Sequence, residues 1–412
     1  MVEPSKVIAA SGGLIIALSI LLASACSCNE TQKYDVGQDG DLSEKDASAD
    51  VRLDTKSSDS GVEQGTSGDS HWCGQNRQRE PEIMPTREPF DCGSACKQVT
   101  FSNFVELDYQ VANDLLVYVG QRGLGYKVYV VDLSSGVERR LFGDQDDINW
   151  GCHHATTDGQ GLAYTCVLAD FPDNPEWSHS ISIFDLATNA ETDLQCYQLK
   201  HTYQACFPSR IAIGAAGIAL GGSLGACTDG GVLFHDARDG SFRDISEPYS
   251  HAGQPDISGK WIVWTARPPS TSGVNQIMLY DTEKKEIRRI APTATPQWQA
   301  RIQGDRVVWT DYRNGGGLML DPRNTDIFMY DIGTGKTVAV TTHLAEQSHP
   351  DVWGDWVVWQ DWRNTPGGIA NLDDTNCDIY ARNMKTGEEV QLTDFPAREL
   401  SPRVDEGRAF FR

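Results

Sequence analysis

Cationic side chains are the scarce ones in this sequence. Its 412 residues carry 35 Lys and Arg against 58 Asp and Glu, for a formal net charge of −23 at pH 7. A nucleic-acid binder shows a basic patch or stripe, and none is evident, so that class is set aside. Paired C-x-x-C elements are also missing, which argues against zinc. Cysteine itself is not rare: nine residues from Cys73 onward suit an oxidising compartment. Cys152 and Cys166, or Cys196 and Cys206, stand close enough to pair, but spacing alone does not fix connectivity. The odd count leaves one thiol over unless it pairs with Cys28. Residues 297–394 lack the 3.6-residue period that a long amphipathic helix requires.

What those residues hold instead is one pattern written twice. Trp309 falls on Trp359, the run Asp311-Tyr312-Arg313-Asn314 on Asp361-Trp362-Arg363-Asn364, and Gly335 on Gly387. A period of about 50 residues marks a repeat architecture. The first copy holds four short β-rich segments, 298–302, 306–310, 326–330 and 337–341, separated by Gly, Asp or Asn. Val307-Val308-Trp309 and Val357-Val358-Trp359 are continuous apolar runs, as expected of strands covered on both faces. Four-stranded sheets stacked radially as propeller blades meet that description.

The same template extends upstream. Asp132, Asp185, Asp236, Asp281, Asp331 and Asn383 each end a third segment and open a tight turn. Asp and Asn bond their own backbone two residues on, so turn chemistry accounts for these side chains without catalysis. First-and-second-segment hairpins end near Tyr118, Tyr164, Leu220, Trp264, Trp309, Trp359 and Phe411, which makes seven. The last lacks an outer hairpin, and an outer hairpin at about 90–101 lacks an inner one. The expected fold is therefore all-β, a seven-bladed β-propeller over 86–412 with six blades the alternative. It closes by pairing residues 399–412 with 86–101.

The amino-terminal portion has a different character. Lys6, an apolar stretch from Val7 to Leu22, and Ala23-Ser24-Ala25 before Cys26 form a secretory signal over 1–25. Its ending resembles a bacterial lipobox, which implies cleavage before Cys26 and lipidation there. More than one acyl chain gives stable membrane attachment. Residues 26–85 read as a disordered tether; 29–70 hold eleven acidic residues against four basic ones.

The pattern P-x-V-x-G-x-x-V-V-W, D-I-Y and L-T, seen in Pro350 to Trp359, Asp378 to Tyr380 and Leu392-Thr393, resembles TolB-like, WD-repeat-like propeller repeats of bacterial envelope proteins. The resemblance is clear in 254–412 and faint in 104–246. It implies the fold more than a function, because propellers host many activities. Relatives of this kind include assembly scaffolds, protein-binding periplasmic factors, peptidase propeller domains and some sugar lyases. A peptidase would need an added α/β-hydrolase domain, which is not expected here.

Turns between first and second segments are short, whereas 143–157, 170–180, 266–275, 311–325 and 361–377 are long. Long loops on one face of a repeat array often mark its binding face. That face would carry Asp311, Arg313, Asn314, Asp361, Trp362, Arg363 and Asn364, with Trp150, His153, His154, His343 and His349. The paired runs have a second reading, as internal Asp–Arg ties of the fold. Asp144-Gln145-Asp146-Asp147, Asp321 and Asp373-Asp374-Thr375-Asn376 offer oxygen ligands for Ca²⁺, but without the EF-hand pattern no cofactor is expected. The expected function is a lipid-anchored envelope module that binds a protein, a peptide or a polysaccharide without catalysis. The competing reading is a secreted, metal-assisted polysaccharide lyase.

Overall fold

The structure is a computed structural model. It describes residues 76–78, 81–84, 108–121, 126–141, 150–169, 177–199, 210–222, 230–269, 273–315, 324–365, 376–395 and 398–412, which all fall in one compact unit. Cys26, the expected closing segment 86–101, Asp144 to Asp147, Asp321, and Asp373 to Thr375 lie outside the described residues.

Every regular element among the described residues is a strand. The two copies form antiparallel sheets of Gln297–Gln303, Arg306–Asp311, Asp326–Asp331 and Lys336–Ala339, and of Gln347–Trp353, Trp356–Asp361, Asp378–Asn383 and Glu389–Gln391. Strands follow one another in chain order across each sheet. Two further four-stranded sheets precede them, beginning at Arg210–Gly214 and Ser250–Ser258. Two five-stranded sheets come first, beginning at Asp108–Ala112 and Trp150–Thr157. A hairpin of Arg403–Asp405 and Arg408–Phe410 ends the chain.

The apolar runs are continuous because each sheet is covered twice. Val307 and Trp309 pack with Val263, Ile277 and Leu279 of the preceding sheet, while Val308 packs with Val352, Val357 and Trp359 of the following one. Successive side chains of a strand point to opposite faces, so both parities must be apolar. Trp264, Trp309 and Trp359 have no exposed surface. The turns follow their chemistry as well. Asp281 Oδ1 accepts from Glu283 N at 3.0 Å and Lys284 N at 3.1 Å, and Asn383 Oδ1 from Lys385 N and Thr386 N, both at 3.0 Å. Gly335 and Gly387 then supply φ of 70° and 79°.

The first strand of each sheet packs against the first strand of the next, and Arg403–Asp405 packs back on Asp108–Ala112. These first strands are thus the innermost, and the arrangement is β-propeller-like. At the junction, Tyr109 Oη donates to Ser401 O and, at 3.2 Å, to Phe410 O. Phe410 is buried with Tyr109, Tyr118 and Tyr129.

Two strands lie upstream of residue 86, where the sequence placed the start of the globular part. Asn76–Gln78 pairs with 190–192 and Glu82–Ile83 with 139–140, as the outermost strand of two neighbouring sheets. Cys152 and Cys166 face each other on adjacent strands and form a disulfide. Cys377 is a buried thiol beside Gln360 Nε2, at 3.6 Å.

Candidate functional site

The paired runs at 311–314 and 361–364 form two equivalent corners just after the second strand of their sheets. Asp311 has no exposed surface, and its carboxylate gathers five hydrogen bonds. Trp309 Nε1 donates at 2.8 Å, Gln297 Nε2 at 2.9 Å, Arg313 N at 2.9 Å, and Arg313 Nε and Nη2 at 2.9 and 2.7 Å. The Arg313 guanidinium lies 3.9 Å from the centre of the Phe328 ring. Asn314 Nδ2 donates to Asp326 Oδ2 at 2.7 Å.

The second corner repeats this arrangement. Trp359 Nε1 and Arg363 Nη2 donate to Asp361 Oδ2 at 2.8 and 2.6 Å, Arg363 Nη1 to Glu389 at 2.7 Å, and Asn364 Nδ2 to Asp378 at 2.8 Å. Burial pulls the Arg363 pKa down, but the bonds and charge of Asp361 and Glu389 raise it overall. All these ties stay inside one sheet. Tyr312 N and Trp362 N donate to Pro296 O and Glu346 O, at 3.1 Å each, which pins each corner to the chain entering the innermost strand.

A second constellation sits on the innermost strands, where the sequence reading placed only His349, and placed it among the loops. In three consecutive sheets the pairing slips by one residue, between Gly253 and Asp256, Trp298 and Arg301, and Ser348 and Asp351. Each bulge holds a left-handed residue: Gln254 at φ 53°, Gln299 at 59° and His349 at 53°, with Ser401 at 54° in the equivalent place of the terminal hairpin. Such a conformation costs a non-glycine residue about 1–3 kcal/mol. Bulges re-aim side chains and gather beside functional sites.

Gln299 and His349 meet across two sheets. Gln299 Nε2 lies 2.8 Å from His349 Nε2, and Gln299 Oε1 accepts from His349 N at 2.9 Å and Thr310 Oγ1 at 2.7 Å. The His349 ring reaches solvent, yet so many protein atoms surround it that its pKa falls to about 4. Desolvation is the main cause, followed by the charges of Arg403 and Arg412. A neutral imidazole can donate to or accept from a ligand.

Two residues beyond each bulge site the side chains alternate in charge: Asp256, Arg301, Asp351, Arg403. Both carboxylates bridge to the next innermost strand, Asp256 Oδ2 accepting from Ile302 N at 3.0 Å and Asp351 Oδ2 from Val404 N at 2.9 Å. Burial pushes the Asp256 pKa up to about 6 and raises that of Asp351. The signal for this row was present as Gln254-Pro255-Asp256, Gln299-Ala300-Arg301, His349-Pro350-Asp351 and Ser401-Pro402-Arg403 at near-constant offsets.

The remaining candidates do not converge. His153 and His154 lie on the bulged strand Trp150–Thr157, and His343 lies outside any strand, with Nδ1 accepting from Ala345 N at 3.1 Å. Among the described residues no group of three or more His, Cys, Asp or Glu could hold a metal ion. One run escaped the sequence reading: Gly221-Gly222-Ser223-Leu224-Gly225 fits G-x-S-x-G. Its glycines end the strand Gly217–Gly222, and Ser223 to Gly225 fall outside the described residues.

No protein-family model matches this chain, and no curated protein is similar to it in sequence. Solved structures do match. An acylaminoacyl peptidase of Pyrococcus horikoshii is similar at 12% identity and a TM-score of 0.50, over 72% of this chain and 48% of that one. An oligogalacturonate lyase of Vibrio parahaemolyticus is similar at 12% identity and 0.49, over 81% and 92%. TolB of Acinetobacter baumannii is similar at 16% identity and 0.37, over 69% and 70%. The chain thus spans about half the length of the peptidase. At this identity the likeness to the peptidase speaks for the fold alone, which is β-propeller-like, and the two lower scores add nothing to it.

Proposed function

We propose that this chain is an envelope protein, lipid-anchored through Cys26, whose seven-bladed propeller captures a partner at its axis and carries out no catalysis. One observation supports the axial reading above the rest. Four consecutive innermost strands carry backbone strain at one register, and each places a polar side chain there: Gln254, Gln299, His349 and Ser401. Packing alone does not require a strained polar residue four times over. The corners at Asp311, Arg313 and Asn314 and at Asp361, Trp362, Arg363 and Asn364 would stiffen the rim of that mouth. Among the described residues seven sheets stand in cyclic contact, which favours seven blades; the expectation that 86–101 completes the blade begun by the terminal hairpin is part of this proposal. The partner is an envelope protein, a peptide or a polysaccharide.

The test is capture from detergent-solubilised envelope membranes by the full, lipidated chain. Gln299→Ala and His349→Gly should each lower capture at least about tenfold, the loss of one good polar contact. The melting temperature of His349→Gly should hold or rise, because glycine relieves the left-handed strain. Cys26→Ser should move the protein to the soluble fraction. Undiminished capture by both axial variants would take the site off the axis, and release of unsaturated sugar products would overturn the non-catalytic reading.

A further inference from the structure

Arg301 and Arg403 are strongly buried, with 4% and 8% of their surface exposed, and neither has its charge matched by a hydrogen-bonded carboxylate. Among the described residues the Arg301 side chain donates no hydrogen bond. Its nearest carboxylate oxygen, Asp256 Oδ1, is 3.9 Å from Nη1, and Nη1 is fully buried without a partner. Arg403 donates through Nη1 to the neighbouring Pro402 O at 2.8 Å and lies 5.4 Å from the centre of the Tyr109 ring, while its Nε has no partner. Other arginines here show what satisfaction looks like: Arg313 grips Asp311 through two nitrogens.

The charge balance points the same way. Arg210, Arg301 and Arg403 face Asp256 and Asp351, with Arg210 Nη2 3.6 Å from Asp256 Oδ1. Arg412 adds a further cation near His349. Asp405, the other carboxylate in range, pairs with Arg408 at 3.9 Å. Within a chain of net charge −23 this part of the axis thus gathers several arginines around two buried carboxylates. Buried guanidinium groups without partners are costly, and their forked donors match an oxyanion.

We propose that Arg301 and Arg403, with the side chains of Gln299 and His349 on the same row of innermost strands, form an oxyanion site at the propeller axis that holds a carboxylate or related anion of the captured partner. This inference deepens the axial reading and rests on it. Carboxylate and free inorganic oxyanion share the chemistry, so the probes must separate them.

The experiment is thermal unfolding of the full chain in NaCl at fixed ionic strength, with succinate or sulfate replacing part of the chloride. An occupied site should raise the melting temperature by about 2–4 °C or more at high saturation. A larger effect of succinate assigns a carboxylate ligand, and a larger effect of sulfate an inorganic one. Arg301→Met and Arg403→Met should lose the anion response, read for each variant as the difference between its own melting temperatures in chloride and in the probe. Arg288→Gln, an exposed charge beside Trp261, should keep that response. No rise with either probe, or an equal rise in wild type and both Met variants, overturns the site. If the anion response fails while His349→Gly still weakens capture, the axis binds a ligand without an anion. If both fail, the axial reading goes too.

Discussion

At the scale of single residues, Asp311 does more than its arginine. Losing the Arg313 side chain leaves Asp311 three donors, from Trp309, Gln297 and its own corner's backbone. Losing Asp311 leaves the Trp309 and Gln297 donors bare inside the protein. Arg313→Ala should therefore cost about 1.5–3 kcal/mol, as for a hydrogen bond to a charged group, and Asp311→Ala about 3–5 kcal/mol. Urea denaturation would measure both; losses below about 0.5 kcal/mol in each would mean ordinary surface positions. The repeated Asp and Arg were legible in the sequence as a bidentate pair. The bond from Trp309 was also within reach, because residues two apart share a strand face. One sheet earlier, Ala266 stands where Asp311 would, and Trp264 Nε1 is buried without a partner.

At the scale of the strand, the approach to each innermost strand sets a pH dependence. Gln297, Gln347 and Glu399 occupy equivalent places, each donating its backbone N–H to the loop before a third strand. Only the last is ionisable. Burial pushes Glu399 up to about 8, against the bond from Thr393 Oγ1 at 2.8 Å, and Asp378 and Asp394 add to the rise. Burial likewise pushes Glu346 up to about 7. A raised carboxyl stabilises the fold while protonated in the native state. That contribution is complete below the unfolded value of 4.5 and is lost progressively as pH climbs to about 7 for Glu346 and about 8 for Glu399. Melting temperatures should thus fall between about pH 5 and pH 8, and Glu399→Gln, which restores the residue of the other repeats, should make the fall shallower. A profile that slopes equally in the variant would acquit Glu399. Strand positions were readable from apolar runs and turn residues. The bulges were not, since a single inserted residue leaves composition unchanged and shows only as a shift in pairing.

At the scale of the whole molecule, closure depends on a short segment. The terminal hairpin meets the sixth sheet through Val404 and Ala409 packed on Val358 and Ala381, and the first sheet through Phe410. Removing residues 401–412 should bare both faces, so the chain would aggregate or become protease-sensitive throughout. Wild-type-like cooperative melting of the truncated chain would make the hairpin an appendage. The sequence made the terminal inner hairpin legible, and the structure packs it on the first sheet; the outer half expected at 86–101 lies outside the described residues. Nothing in the sequence hinted at the two outermost strands at Asn76–Gln78 and Glu82–Ile83, which are too short and polar to signal themselves. Those strands have a mechanical consequence. A pull from the amino-terminal side is met first by the three backbone pairings of Asn76–Gln78 and then by the two of Glu82–Ile83, on neighbouring sheets. Both must unzip, releasing about 28 Å of chain over eight residues, before tension passes Ile83. These five pairings on the outer rim would thus be the first to part under such a load.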